Sequence, residues 1–271
     1  MVENITIYPH LENIKKPQPE IGQIIENIGI LKADLSSEEW NAVTDLQKSL
    51  CQEFSQDGRR KVEYLGRDFI ALPGVFPPRP DSLELVQNMV IEPGDQVLDV
   101  CSGSGVIGIF AALKGAAKVV ELELNEQAVL SAQKNAKLNE VENKVDIRHS
   151  DMFAALKPTE LFDVVTMNPP FRDLPVDEMV QRTMWDQGFS VHRKFLSEVE
   201  KHIKPQARIY MAQANFGDLD ALQKLLTEFK FKVRLLGRRP LEGHEKLVFY
   251  AFELIKDKAN NNIAQWPNWA M

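Results

Sequence analysis

The sequence predicts a doubly wound α/β domain preceded by a helix-and-hairpin region, and three observations carry that expectation. From Gln96 onward, short apolar runs of strand character alternate with helical segments. The first run, Val97 to Val100, leads into glycines at Gly103, Gly105 and Gly108, then a helical pattern and a second run ending at Glu123. Strand, glycine turn, helix, strand and acid is the opening half of a nucleotide-type βαβ unit. The residues before Pro77 follow other patterns, and "PPRPD" separates the two regions because proline stiffens the chain.

With 271 residues, 44% hydrophobic and 26% charged, the chain is long enough for one α/β domain plus an appendage. A net charge of -7 gives no general attraction to nucleic acid or anionic membrane. The two cysteines, Cys51 and Cys101, suggest neither a disulfide framework nor a metal site. The first 20 residues hold no apolar run of signal length and no later run approaches a membrane span, so a cytoplasmic protein is expected.

In order along the chain, a short strand is expected at Ile5 to Tyr8, then a short helix carrying Ile21, Ile24, Ile25 and Ile28 on one side. Ser36 or Ser37 caps a longer helix with Glu38 and Glu39 in its first turn, a packing stripe of Trp40, Val43, Leu46, Leu50 and Phe54, and an end at Gly58. Lys61 to Phe76 reads as a hairpin turning near Gly66, and Ser82 to Met89 as a helix. Strands follow at Gln96–Cys101, Lys118–Leu122, Lys144–Arg148, Phe162–Met167, Ala207–Gln213, Lys230–Leu236 and Lys246–Leu254. Helices are expected at Val106–Leu113, Gln127–Leu138, Met179–Ile203 (broken) and Leu219–Glu228. No helix separates the last two strands, only "GRRPLEGHE", so they should pair antiparallel, with Arg238, Arg239 and His244 in the loop between them. The tail carries Trp266 and Trp269. Domain boundaries are expected at 1–80, 81–256 and 257–271.

Asp99 ends the first strand of the main sheet, at the edge where open α/β sheets bind ligands. A carboxylate ahead of the glycine loop opposes a pyrophosphate and suits a cationic or zwitterionic ligand; the plainer reading is a helix cap. Glu123 is placed to accept from a ribose diol. Asp151, after the third strand, is placed to accept from an exocyclic amine, with Met152 or Phe153 as an apolar face. The fourth strand ends in Asn168-Pro169-Pro170-Phe171. The prolines keep this segment extended, and the Asn168 side-chain oxygen and the Pro169 carbonyl can accept both hydrogens of a planar NH2 group. Phe171 can stack on a flat amide or base. Arg79, between prolines, is a candidate for an acidic substrate group. Cys101 is expected near the ligand and not as a nucleophile, and His192 and His202 lack ligand spacing, so no metal is expected.

"VLDVCSGSGVIGI" resembles motif I of class I S-adenosylmethionine-dependent methyltransferases, and "NPPF" resembles the motif of their amino-methylating branch. The resemblance spans roughly Pro77 to Leu254 and implies a Rossmann-like seven-stranded sheet with a reversed last strand. It implies S-adenosyl-L-methionine as cofactor. Asp99, Gly103 and Gly105 would surround its methionine part, Glu123 its ribose, and Asp151 and Met152 its adenine, with Cys101 and Leu124 alongside. Asn168 would touch both cofactor and acceptor. Asn168 and Pro169 would hold the acceptor nitrogen, with Arg79, Pro170 and Phe171 on the substrate side. "FIALPGVFPPRPDSLELV" and "WDQGFSVHRKFLSEV" are most similar to segments of the release-factor glutamine methyltransferases. The chain departs from that family at Phe171, where tyrosine is usual. On the resemblance of the linker and the N-terminal region, protein glutamine is the first acceptor to test, ahead of an exocyclic base nitrogen in RNA or DNA and a small-molecule amine. An inactive cofactor-binding module is the reading from another class.

Overall fold

The computed structural model describes the backbone of Glu3–Asn4 together with residues 20–56 and 58–257. The expected strand at Ile5 to Tyr8 and the tail with Trp266 and Trp269 lie outside the described residues. In chain order the strands are β1 (Glu3–Asn4), β2 (Ile24–Ile25), β3 (Arg60–Tyr64), β4 (Arg67–Ala71), β5 (Gln96–Val100), β6 (Lys118–Glu123), β7 (Val145–His149), β8 (Phe162–Met167), β9 (Ile203–Ala214), β10 (Phe231–Leu241) and β11 (His244–Lys256). The α-helices are α1 (Ser37–Ser55), α2 (Leu83–Asn88), α3 (Val106–Leu113), α4 (Glu126–Leu138), α5 (Ser190–Glu198) and α6 (Leu219–Glu228).

The main sheet runs β2-β10-β11-β9-β8-β5-β6-β7. Strands β5 to β9 are parallel to one another, and β11 inserts antiparallel to both β9 and β10. This is the anticipated seven-stranded sheet with its last strand reversed, extended by β2 at one edge. Apolar side chains of the inner strands alternate between two cores, as the pleat requires. Val97, Val119 and Val164 face α2, α3 and α4, whereas Leu98, Val120 and Val165 face α5 and α6.

Three expectations need correction, two in the N-terminal region and one between the last two strands. Ile21 to Ile28 does not form a helix. Gly22, at a left-handed φ of 89°, donates to Leu235 O, Leu235 N donates back to Gln23 O, and β2 joins β10. Ladder bonds to a free sheet edge outcompete one short helix, which leaves Ile21 and Ile24 exposed while Ile25 and Ile28 are buried. The buried face of α1 is Val43, Gln47, Cys51 and Phe54, and Leu46 stays 41% exposed. A reciprocal cap between Ser36 and Glu39 starts this helix as expected, but it ends at Ser55, before Gly58. Arg238 and Arg239 are not loop residues, because β10 runs on to Leu241 and Arg239 pairs with Glu84 of α2 at 2.7 Å.

The β3–β4 hairpin turns through Leu65 and Gly66, both at positive φ as a two-residue turn of this hand demands. Its outer edge is held by polar groups of α4. Asn135 donates to Ile70 O and accepts from Ile70 N, and Ser131 Oγ accepts from Leu72 N. Asn135 also donates to Ser104 O at 2.9 Å, which ties the hairpin to the glycine loop.

Candidate functional site

The carboxyl ends of β5, β6, β7 and β8 meet at a cavity of about 680 Å3. Cys101, Gly103, Glu123, Leu124, Asp151, Met152, Asn168 and Pro170 line it, all of them positions singled out from the sequence. Below α1 lies a second, smaller cavity of about 180 Å3, onto which Arg79, Pro169 and Phe171 face. Cys101, Gly103 and Asn168 line both, so these three stand where the cavities adjoin.

Glu123 closes the glycine loop. One of its oxygens accepts from Gly103 N and the other from Asn125 N, each at 2.8 Å. Burial raises its carboxyl above the ordinary value, and these N–H donors oppose the rise. A carboxylate offers about four lone-pair sites, so these two donors do not use up its accepting capacity. Asp151 is exposed at the rim and pairs with Lys194 of α5 at 2.9 Å. Met152 beside it is buried at a φ of 52°.

Asp99 and Gly105 stand elsewhere than expected, for Asp99 does not face the ligand cavity. It is fully buried, accepting from Thr166 Oγ1 at 2.7 Å and from Gly108 N at 3.1 Å. Pleat parity explains this: Asp99 shares the face of Val97, which looks toward α3. Its role here is to hold the glycine turn and the start of α3, and burial pushes its carboxyl up to about 7. Gly105, the N-cap of α3 at a φ of 83°, lines neither cavity; a Cβ there would meet Glu121 and Ala132 at 2.9–3.0 Å.

Asn168 is held by residues that its own motif does not contain. Its side-chain NH2 donates to Asp81 Oδ2 at 2.7 Å and to Ser82 Oγ at 3.2 Å. Its Oδ1 is buried and has no protein partner. The donor end is thus fixed by Asp81 and Ser82, and the acceptor end stays buried and unpartnered on a residue that lines both cavities. Burial raises the Asp81 carboxyl above its ordinary value, and the Asn168 hydrogen bond opposes that. Phe171 is buried in an aromatic cluster, with ring centroids 6.3 Å from Phe216 and 6.2 Å from Phe249. The Arg79 guanidinium lies 5.8 Å from the centre of the Phe54 ring.

Several site residues escaped the sequence reading. Asp81 carried a signal only as part of "RPD" between two regions. Gln47 accepts from Arg172 and from Trp185 Nε1, both at 3.1 Å, and so keys α1 to the segment that follows Phe171. Asp186, at the cavity, accepts from the backbone of Val191 and His192 and from His192 Nδ1 at 2.8 Å, and sets the start of α5. No local pattern announces such long-range pairs. Among the described residues, no helix is long and apolar enough to cross a membrane, and no group of three or more acids, histidines or cysteines is placed to hold a metal.

Residues 66–234, more than half of the chain, match the methyltransferase small domain family. A Methanocaldococcus jannaschii protein with the provisional name protein N5-glutamine methyltransferase is 31% identical over 67% of this chain and 93% of its own length. The release factor glutamine methyltransferase of Koribacter versatilis is 29% identical over 63% of this chain and 66% of its own. Among solved structures, the T. thermophilus 16S rRNA N2 G1207 methyltransferase, in complex with AdoMet and guanosine, is 25% identical with a TM-score of 0.53. That likeness covers 74% of this chain and 50% of that one. The sheet order, the glycine turn and the extent of these matches agree, and the chain belongs to the methyltransferase small domain family.

Proposed function

We propose that this protein transfers a methyl group from S-adenosylmethionine to the side-chain amide nitrogen of a glutamine in a protein substrate. The observation that carries the reading is the unpartnered, buried Oδ1 of Asn168, whose amide is locked the other way round by Asp81. The larger cavity fits the cofactor: Glu123 would hold its ribose, Asp151 and Met152 its adenine, and the turn at Cys101 and Gly103 its methionine end. S-adenosylmethionine supplies a sulfonium-borne methyl, whose carbon–sulfur bond breaks as the carbon–nitrogen bond forms, leaving the bonding pair on sulfur.

Asn168 Oδ1 and the Pro169 carbonyl each accept one N–H of the acceptor, which fixes the plane of the NH2 group and aims its lone pair at the methyl carbon. An amide nitrogen is a poor nucleophile because its lone pair is shared with the carbonyl. Two acceptors that strengthen as nitrogen becomes positive favour the transition state over the ground state. The extra proton leaves to solvent after the bond has formed, so no strong base is required. The names of the archaeal and bacterial relatives support protein glutamine as the acceptor.

The test is labelled methyl transfer to a purified release factor and to lysate separated into protein, nucleic acid and small-molecule pools. Label should enter protein glutamine. Asn168→Ala should lower turnover at least about a hundredfold while S-adenosylhomocysteine affinity stays within about threefold, because one charge-stabilising acceptor contributes roughly 3 kcal/mol. Label confined to nucleic acid would replace the acceptor, and an unaffected N168A enzyme would remove Asn168 from the chemistry.

A further inference from the structure

The smaller cavity has a composition that the transfer of a methyl group does not by itself require. Helix α1 contributes Val43, Leu46 and Leu50 to its lining, and Phe171, Phe216 and Phe249, which pack in one cluster with Val43, line it as well. Asn168 and Pro169 line it too, so the apolar chamber adjoins the two residues that would hold the acceptor nitrogen. Two charged side chains reach its edge, and both are engaged: Asp81 by Asn168, and Arg79 over the Phe54 ring. At about 180 Å3 it is smaller than the roughly 300 Å3 at which pockets begin to hold whole drug-sized ligands. It has room for one side chain of a larger substrate.

Leu46 is the unusual member of this lining. It is 41% exposed on a helix whose neighbouring Asp45, Lys48 and Ser49 are polar and exposed. The seating of α1 does not depend on it, because Val43, Gln47, Cys51 and Phe54 form the buried face and Gln47 is bonded to Arg172 and Trp185. An apolar side chain left partly in water at the mouth of an apolar chamber gains by covering a matching group.

We propose that this cavity, walled by α1, is a subsite for an apolar side chain flanking the methylated glutamine, and that Leu46 sets the preference. The proposal rests on the glutamine reading above and adds to it a requirement on the neighbouring residue. It also gives the N-terminal helix a direct part in choosing the substrate. A nucleic-acid strand fits poorly, because its phosphates would meet aliphatic and aromatic walls.

Two peptides, acetyl-Leu-Gln-Leu-amide and acetyl-Asp-Gln-Asp-amide, test it with labelled S-adenosylmethionine, a release factor serving as a parallel acceptor. The wild type should use the leucine peptide at least tenfold better by kcat/KM. Leu46→Glu, a change at an exposed position, should bring the two peptides within about threefold, mainly through KM, and leave S-adenosylhomocysteine affinity within twofold. Equal use of both peptides by the wild type, an unchanged preference in L46E, or label in the release factor with none in either peptide would overturn the subsite and leave the glutamine reading standing. No label in any glutamine acceptor would overturn that reading and the subsite with it.

Discussion

Glu121 is a carboxyl group whose burial should cost the fold more as the pH rises. It lies on β6 opposite Asp99 of β5, it is fully buried, and neither of its oxygens has a protein partner. Asp99 takes the nearby donors, Gly108 N and Thr166 Oγ1. Burial, with Asp99 and Glu123 close by, raises the Glu121 carboxyl well above its ordinary value, so the folded protein keeps this proton and the unfolded chain releases it. A raised carboxyl favours the fold fully below the unfolded pKa near 4.5, and that benefit is lost as pH climbs toward the folded value. From pH 4.5 to 7.5, three units at about 1.4 kcal/mol each set a ceiling of about 4 kcal/mol. Glu121→Gln keeps the shape that Gly105 and Gly108 accommodate and removes the titration. Urea unfolding at pH 4.5, 6 and 7.5 should show the E121Q and wild-type proteins within about 1 kcal/mol at the acid end, since an unpartnered amide also costs about 1–3 kcal/mol. The variant's advantage should grow steadily toward pH 7.5, up to that ceiling. A difference that does not grow with pH would refute the assignment of a buried proton to this site.

Two other variants probe how the site is held. Gln47→Ala leaves the Arg172 guanidinium and the Trp185 indole N–H without their shared acceptor, and should cost about 2 kcal/mol in urea unfolding. It should also lower kcat, because the strand of chain after Phe171 loses its anchor; full activity would show that α1 does not steady that loop. Asp81→Ala frees the Asn168 amide to rotate, and should cut kcat about tenfold or more with S-adenosylhomocysteine affinity retained. A rise in KM with kcat untouched would make Asp81 a substrate contact instead.

The sequence by itself determined the layered architecture and the edge at which the larger cavity lies. Period-two apolar runs, helical periods between them and glycines at the first turn are local signals. The bounds of α3, β8 and α6 are the ones that those signals predict. The places of Glu123 and Asn168 were legible for the same reason: one ends β6, the other directly follows β8, and parallel strands carry their last residues to one edge. Asp99 was legible as a strand end too, but its direction was not, since one residue of pleat parity turns a side chain from the cavity to the helix layer.

Only the tertiary structure decided what fixes those side chains. Asp81 and Asn168 are 87 residues apart in sequence, and Gln47 and Trp185 are 138 apart, yet each pair shares a hydrogen bond. The Ile21 to Ile28 segment had a plausible helical spacing, and a free edge on β10, far along the chain, drew it into the sheet. Contacts of that kind depend on which elements end up adjacent, and adjacency belongs to the packed chain, not to any window of residues read along it.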